Sequence, residues 1–211
     1  MAADGVVHVI DDDADVRQSL AFLLSSAGLA VQVHESAIAF LDALPGIAGG
    51  CVVTDIRMPR MDGLELQRRL RELNTGLPVI VMTGHGDVPL AVEAMKAGAI
   101  DFIEKPFDDE VLLSAIRSAL ARRARDSERD ARAVAARNRL KKLSDREREV
   151  LERLVAGKAN KVIAHELGIS PRTVEVYRAN VMTKMEADSL SDLVRMALQT
   201  GPREPSEGRL R

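Results

Sequence analysis

Residues 6 to 24 read VVHVIDDDADVRQSLAFLL, and this stretch decides the fold. It opens with Val6 to Ile10, a run rich in β-branched residues of the kind that fills a strand buried on both faces. Asp11, Asp12 and Asp13 end that run. Beyond them Val16, Leu20, Leu23 and Leu24 recur three and four apart, the spacing of an amphipathic helix. The unit then repeats. Ala30 to Val33, Cys51 to Thr54, Val79 to Met82 and Ala99 to Ile103 read as further strands. Between and after them, Leu64, Leu66, Leu70 and Leu73, and later Leu112, Leu113, Ile116 and Leu120, mark helix faces. Five strand-helix repeats within the first 122 residues predict an α/β domain: a doubly wound, five-stranded parallel sheet with right-handed crossovers and helices on both faces. Such sheets bind ligands beyond the carboxyl ends of their strands.

The remainder of the 211 residues follows a different pattern. Residues 123 to 142 are rich in Ala and Arg and lack Gly and Pro, which predicts a helical linker extending the preceding helix. From Leu143 the chain reads as four helices. Ser144 with Glu147 makes a capping box ahead of Val150, Leu151, Leu154 and Val155, and Gly157 ends that helix. A short helix covers Lys161 to Leu167. Ser170 and Pro171 open a third to about Met185, and Ser189 with Asp192 a fourth to about Thr200. The expected divisions are 1–122, 123–142, 143–203 and a disordered tail at 204–211 with almost nothing apolar.

Composition sets limits. With 46% apolar and 29% charged residues, the chain is neither disordered nor a membrane protein in bulk. No apolar run approaches the roughly 18 to 20 residues of a membrane span, and the N-terminus lacks a secretory signal pattern, so a cytoplasmic protein without membrane contact is expected. Cys51 reads as a small buried hydrophobe, and the four scattered histidines with one cysteine make no zinc constellation. The net charge of −2 is uneven: 18 acidic against 10 basic residues to position 122, then 20 basic against 14 acidic. The excess sits in the linker, with 8 basic and 3 acidic residues at 123–142, so the last four helices are nearly neutral.

Asp11, Asp12, Asp55, Thr83 and Lys105 all fall at the carboxyl edge of the expected sheet. Crowded carboxylates repel one another, and a hard divalent cation relieves them; Mg²⁺ fits because it takes oxygen ligands and retains water for a phosphate-bearing partner. A carboxylate in that setting, with a Lys ammonium and a Thr hydroxyl aimed at the same point, is equipped to take a phosphoryl group. Here the motifs VIDDD at 9–13, DIRMP at 55–59, MDG at 61–63, MTG at 82–84 and KPF at 105–107 resemble a response-regulator receiver domain. The resemblance implies that Asp55 is the phosphoacceptor and a sensor histidine kinase the donor. It implies that Asp11, Asp12, Asp55 and the Arg57 backbone carbonyl serve Mg²⁺, that Thr83 and Lys105 hold the phosphoryl oxygens, and that Phe102 turns inward as Thr83 moves. A cis bond at Lys105-Pro106 is also expected.

The segments LSDREREVL at 143–151, NKVIA at 160–164 and ISPRTVEVYRANVMTKM at 169–185 resemble a LuxR-type helix-turn-helix, and the two halves together resemble the NarL/FixJ class. On the helix from Pro171, Val174, Tyr177, Val181 and Met185 share an inward face. Arg172, Glu175, Val176 and Ala179 face away, toward DNA; the resemblance implies that Glu175, Val176 and Ala179 approach base edges, while Lys158, Lys161, Thr173, Arg178 and Lys184 suit phosphates. The class implies dimerisation on phosphorylation, promoter DNA and RNA polymerase as partners, and no enzymatic role beyond assisting its own phosphoryl transfer. Two alternatives are a Mg²⁺-dependent phosphatase of haloacid-dehalogenase type, opposed by Asp15 standing where a Thr or Val belongs, and a phosphorylated adaptor that binds protein or RNA. Asp11 to Asp15 also starts like an EF-hand loop, but Val16 and Phe22 occupy its Gly and Glu places.

Overall fold

The structure is a computed structural model that describes residues 5–84 and 88–199. The expectation of a disordered tail at 204–211 lies outside the described residues.

Five parallel strands, β1 (Val6–Ile10), β2 (Ala30–His34), β3 (Cys51–Asp55), β4 (Val79–Thr83) and β5 (Asp101–Glu104), form one sheet in the order β2-β1-β3-β4-β5. Helices α1 (Ala14–Ser26), α2 (Ala37–Ala43), α3 (Gly63–Glu72), α4 (Val88–Ala97) and α5 (Asp109–Leu140) follow the strands in turn, with a short 3₁₀ turn after α2. The period-two alternation of a strand divides its side chains between two cores. Val7 and Val9, Cys51 and Val53, and Ile80 and Met82 pack with Leu20 and Leu24 of α1 and Leu112 and Ile116 of α5. Ile10, Val52, Val79 and Val81 face the other way, onto Phe40 of α2, Leu66 and Leu70 of α3 and Ala94 of α4. Because both faces are covered, strands β3 and β4 carry no polar alternation, which is why they read as continuous apolar runs. Cys51 is fully buried, and burial pushes its thiol pKa up to about 12, so it behaves as a hydrophobe.

One strand starts later than the sequence pattern suggests. Ala99 and Ile100 precede β5: the Ala99 N–H still bonds back to the Ala94 carbonyl, and Gly98 turns the chain at φ +102°. The sheet is joined first by the Ile100 N–H on the Val79 carbonyl at 2.8 Å. Ala99 is therefore apolar because it closes α4 onto the second core, not because it lies in the strand.

The chain divides into two compact units meeting at Asp126 and Ser127, within α5, and residues 123–140 belong to that single helix. In the second unit α6 (Asp145–Val155), α7 (Asn160–Leu167), α8 (Pro171–Met185) and α9 (Leu190–Gln199) enclose a third core of Val150, Leu154, Ile163, Val174, Val181, Met185 and Leu193. The caps fix where these helices begin. Ser144 Oγ accepts from the Glu147 N–H and the Glu147 carboxylate accepts from the Ser144 N–H, completing the capping box. Ser170 Oγ accepts from the Thr173 N–H at 3.1 Å with Pro171 at the first helical position. Gly168, left-handed at φ +64°, makes the turn between α7 and α8. Among the described residues no helix is long and apolar enough to cross a membrane.

Candidate functional site

The strand order reverses direction between β1 and β3, which opens a crevice at their carboxyl ends. Asp11 follows β1 and Asp55 ends β3, so two residues distant in sequence flank that crevice. Lys105, just beyond β5, joins them: its Nζ donates to Asp55 Oδ1 at 2.7 Å and to Asp11 Oδ2 at 2.9 Å. The Asp11 side chain is only 3% exposed and that of Asp55 13%. Burial alone would lower the Lys105 pKa, but its hydrogen bonds to Asp55 and Asp11 and their charges raise it, so the ammonium is fixed in its charged form. The Lys105-Pro106 peptide bond is cis.

The remaining carboxylate oxygens are also held. Asp55 Oδ2 accepts from the Arg57 N–H at 2.7 Å, and Asp11 Oδ1 from the Asp13 N–H at 3.0 Å. Asp13 caps α1, accepting from the N–H groups of Asp15 and Val16, so this acid serves the helix. Thr83 is buried at the end of β4, and the Lys105 N–H donates to its carbonyl at 2.7 Å. Phe102, paired with Val81 in the β4-β5 register, is half-buried against the second core. Asp12 is exposed.

Two further residues shape this edge. Gly63 opens α3 so close to β3 that a Cβ there would stand 2.3 Å from the Asp55 carbonyl oxygen, so only glycine allows this approach. Arg17 of α1 donates from Nη1 to the Asp11 carbonyl at 2.7 Å. The glycine was visible as part of MDG; an arginine on a helix surface carries no comparable signal.

Among the described residues no three His, Cys, Asp or Glu side chains meet as a ready-made metal cluster. Asp11 and Asp55 converge on Lys105 instead. The donor set is nonetheless that of a hard cation: Asp11, Asp12 and Asp55 bring three carboxylates to an edge where Lys105 alone bonds two of them. Acidic charge exceeds what that lysine balances, and the oxygen donors fit Mg²⁺. Beside Lys105 lies an open groove of about 1010 Å³, lined by Val16, Phe22 and Leu23 of α1 and by Pro106 and Phe107.

In the second unit Val174, Val181 and Met185 of α8 are fully buried with Tyr177 packed against them, while Arg172, Glu175, Val176 and Ala179 are exposed. Val176 is 56% exposed, an apolar side chain left open between charged neighbours. Lys161 is exposed, and Thr173 and Arg178 are half-buried. Lys158 and Lys184 form ion pairs within the domain. Lys184 Nζ donates to Glu147 Oε2 at 2.7 Å, and Lys158 pairs with Glu166, which also accepts from Arg153 Nε at 2.9 Å. The Glu147 carboxyl is held below its ordinary pKa, first by the Lys184 hydrogen bond and then by the Ser144 N–H.

An acid-lysine cluster at the switch point of a doubly wound sheet, on one chain with a helix-turn-helix, defines a class of signalling protein that couples a receiver to a nucleic-acid reader. The family model of the response regulator receiver domain matches residues 7–117, and that of the bacterial regulatory proteins of the luxR family matches residues 141–197. The transcriptional regulatory protein FixJ of Bradyrhizobium diazoefficiens is 58% identical over 203 residues, covering 95% of this chain and 98% of that one. Full-length FixJ from B. japonicum, a crystal structure, matches with a TM-score of 0.60 at 56% identity over 94% of this chain and 98% of that one. Response regulator StyR matches with a TM-score of 0.80 at 41% identity over 92% and 98%. The chain belongs to the FixJ-like response regulators, with a receiver and a LuxR-type DNA-binding domain, and regulates transcription in a two-component system. A receiver implies a histidine kinase as partner. The family is one of transcription factors rather than classical enzymes, and the phosphatase alternative accounts for neither the luxR match nor the receiver match.

Proposed function

We propose that Asp55 accepts a phosphoryl group from the kinase's phosphohistidine and that this switches DNA binding by α8. The observation that carries the proposal is Lys105 Nζ within hydrogen-bond distance of both Asp55 and Asp11 at the carboxyl edge of the sheet. A carboxylate oxygen of Asp55 attacks phosphorus, the new O–P bond forms as the N–P bond breaks, and the histidine nitrogen leaves with the electron pair. Lys105, already protonated, moves from Asp55 Oδ1 onto a phosphoryl oxygen, and the Thr83 hydroxyl bonds another. The oxygens of Asp11, Asp12 and Asp55 with the Arg57 carbonyl would hold Mg²⁺, which when bound supplies positive charge to the phosphoryl oxygens. The donor domain enters across the apolar groove beside Lys105, with Phe22, 77% exposed, as its anchor.

Phosphorylation adds about −1.5 to −2 charges at pH 7. Drawing Thr83 toward them frees space for Phe102 to turn inward, which reshapes the face of α4, β5 and α5; this face then dimerises. We assign residues 1–122 to the phosphoacceptor, 123–142 to the linker and 143–203 to the DNA reader. Glu175, Val176 and Ala179 read base edges, with Lys161, Arg172, Thr173 and Arg178 on phosphates. Lys158 and Lys184, which also pair with Glu166 and Glu147, keep exposed surface for phosphates at the edge of the contact. Dimers suit palindromic promoter sites, where the bound regulator recruits RNA polymerase in the cytoplasm.

Incubation with acetyl phosphate and Mg²⁺, followed by intact mass measurement, tests the site: one phosphoryl group is expected on the wild-type chain and none on Asp55→Asn. Stoichiometric labelling of the Asn variant would place the acceptor elsewhere.

A further inference from the structure

We propose that Arg17 is a positioning residue for metal capture: it fixes the backbone on which Asp12, the acid that Lys105 leaves unbonded, presents its carboxylate to Mg²⁺. The proposal rests on the reading of Asp11, Asp12 and Asp55 as the acids that hold that ion. A peptide unit is planar, so the two units flanking the Asp12 Cα set the direction in which its side chain leaves the chain. Each unit is anchored by one hydrogen bond. The unit before the Cα carries the Asp11 carbonyl, which accepts from Arg17 Nη1 at 2.7 Å. The unit after it carries the Asp13 N–H, which donates to Asp11 Oδ1 at 3.0 Å. The backbone N–H of Arg17 donates in turn to the Asp13 carbonyl at 3.1 Å, within the first turn of α1. Asp12 thus lies between two carbonyls tied to the same arginine, although Asp12 itself is exposed. One anchor is Asp11, a carboxylate that the site itself uses; the other, Arg17, lies outside the set of metal donors.

Charge alone does not account for Arg17. It follows a stretch with acids at 11, 12, 13 and 15 and is half-buried, yet among the described residues it joins no ion pair. A guanidinium turned onto a carbonyl orients backbone, whereas a bare positive charge near the acids would repel a cation. The two roles predict opposite signs when Arg17 is removed. Loss of the anchor weakens metal binding, and loss of the charge strengthens it.

The test compares Arg17→Met, Asp12→Asn and the double variant with wild type, all as the full chain. Met keeps the apolar stem and is a comparable helix former without a donor; far-UV circular dichroism of the metal-free proteins confirms that each is folded. Arg17→Gln, whose shorter side chain ends before the Asp11 carbonyl, is read in the same way should Arg17→Met not fold. Mn²⁺ is the probe, because it takes the oxygen donors that suit Mg²⁺ and its free form is counted by electron spin resonance, with Mg²⁺ added in competition. Arg17→Met is expected to bind Mn²⁺ about tenfold more weakly than wild type. Arg17→Lys, which keeps the charge and a donor of similar reach, is expected to restore most of that loss. In the Asp12→Asn background the same Met replacement should change binding by less than about twofold, because the carboxylate it positions is gone. Unchanged binding in a folded Arg17→Met chain overturns the proposal, as does tighter binding, which would make Arg17 a charge that weakens the site. A loss of the same size with and without the Asp12 carboxylate also overturns it, since Arg17 would then act on the fold at large. If the wild-type chain binds no Mn²⁺, or Asp12→Asn binds it as tightly as wild type, the metal reading fails and the proposal with it.

Discussion

Lys105 bonds the carboxylates of Asp11 and Asp55 at once, so removing it leaves two acids facing each other in a crevice where one is almost fully enclosed. Lys105→Met is expected to retain labelling by acetyl phosphate at a reduced rate but to lose the gain in DNA affinity that labelling brings, because the phosphoryl oxygens have no ammonium to draw in. A gel shift with and without acetyl phosphate checks this; a full phosphorylation response in the variant would remove Lys105 from the switch. Glu147 gives a second residue-level prediction. Its carboxyl lies below the ordinary 4.5, so it adds stability above that pH, and the contribution is lost as pH falls below 4.5 through the folded value. Tyr177, the chain's single tyrosine, reports on this domain by fluorescence. Urea midpoints read there should fall on acidification below pH 4.5, and less steeply in Glu147→Gln; equal slopes would assign the acid sensitivity elsewhere. Lys184, expected to contact phosphate, also makes an ion pair within its domain. Its partner is 37 residues away, an ion pair between two helices that no local pattern encodes.

At the scale of elements, α8 separates stability from reading. Met185 is fully buried, and its replacement by Ala is expected to cost about 2 to 5 kcal/mol. Val176→Ala on the exposed face should change stability by less than about 0.5 kcal/mol yet alter base preference. Urea unfolding and selection from random duplexes measure the two; a large stability loss in Val176→Ala would contradict the exposed placement. On the receiver, Phe22→Ala should lower phosphorylation by the kinase roughly tenfold, the scale of a lost interface anchor, and leave acetyl phosphate labelling intact. Equal effects on both donors would show that Phe22 serves the fold. Helix caps and apolar periods were legible in sequence because they are local: Ser144 with Glu147, Ser170 with Pro171, and the leucines of α1 and α5. The start of β5 was not, since Ala99 and Ile100 are as apolar as a strand while Gly98 and the Ala94 carbonyl still hold them to α4. Gly63 needed the structure as well, because the 2.3 Å approach to Asp55 depends on how α3 meets β3.

Over the whole molecule, the net charge of −2 conceals three parts with different tasks. An acidic receiver concentrates carboxylates at one sheet edge, the stretch 123–142 holds 8 basic residues against 3 acidic, and a nearly neutral bundle presents Glu175, Val176 and Ala179. The parallel sheet made the carboxylate edge legible, since strand ends in that topology converge whatever their separation in sequence. That Lys105 holds Asp11 and Asp55 as a pair, with Asp12 left exposed, was not, because side-chain bonding within a cluster depends on loop geometry beyond the strand ends. The central claim is that a phosphoryl group on Asp55 controls DNA binding by α8. Its most direct test is the affinity for the selected duplex, at one fixed salt concentration, of wild-type protein and Asp55→Asn, each before and after acetyl phosphate with Mg²⁺. The account predicts a rise in affinity for the labelled wild-type chain alone; an equal rise in the Asn variant, or none in a wild-type chain shown by mass to be fully labelled, would contradict it.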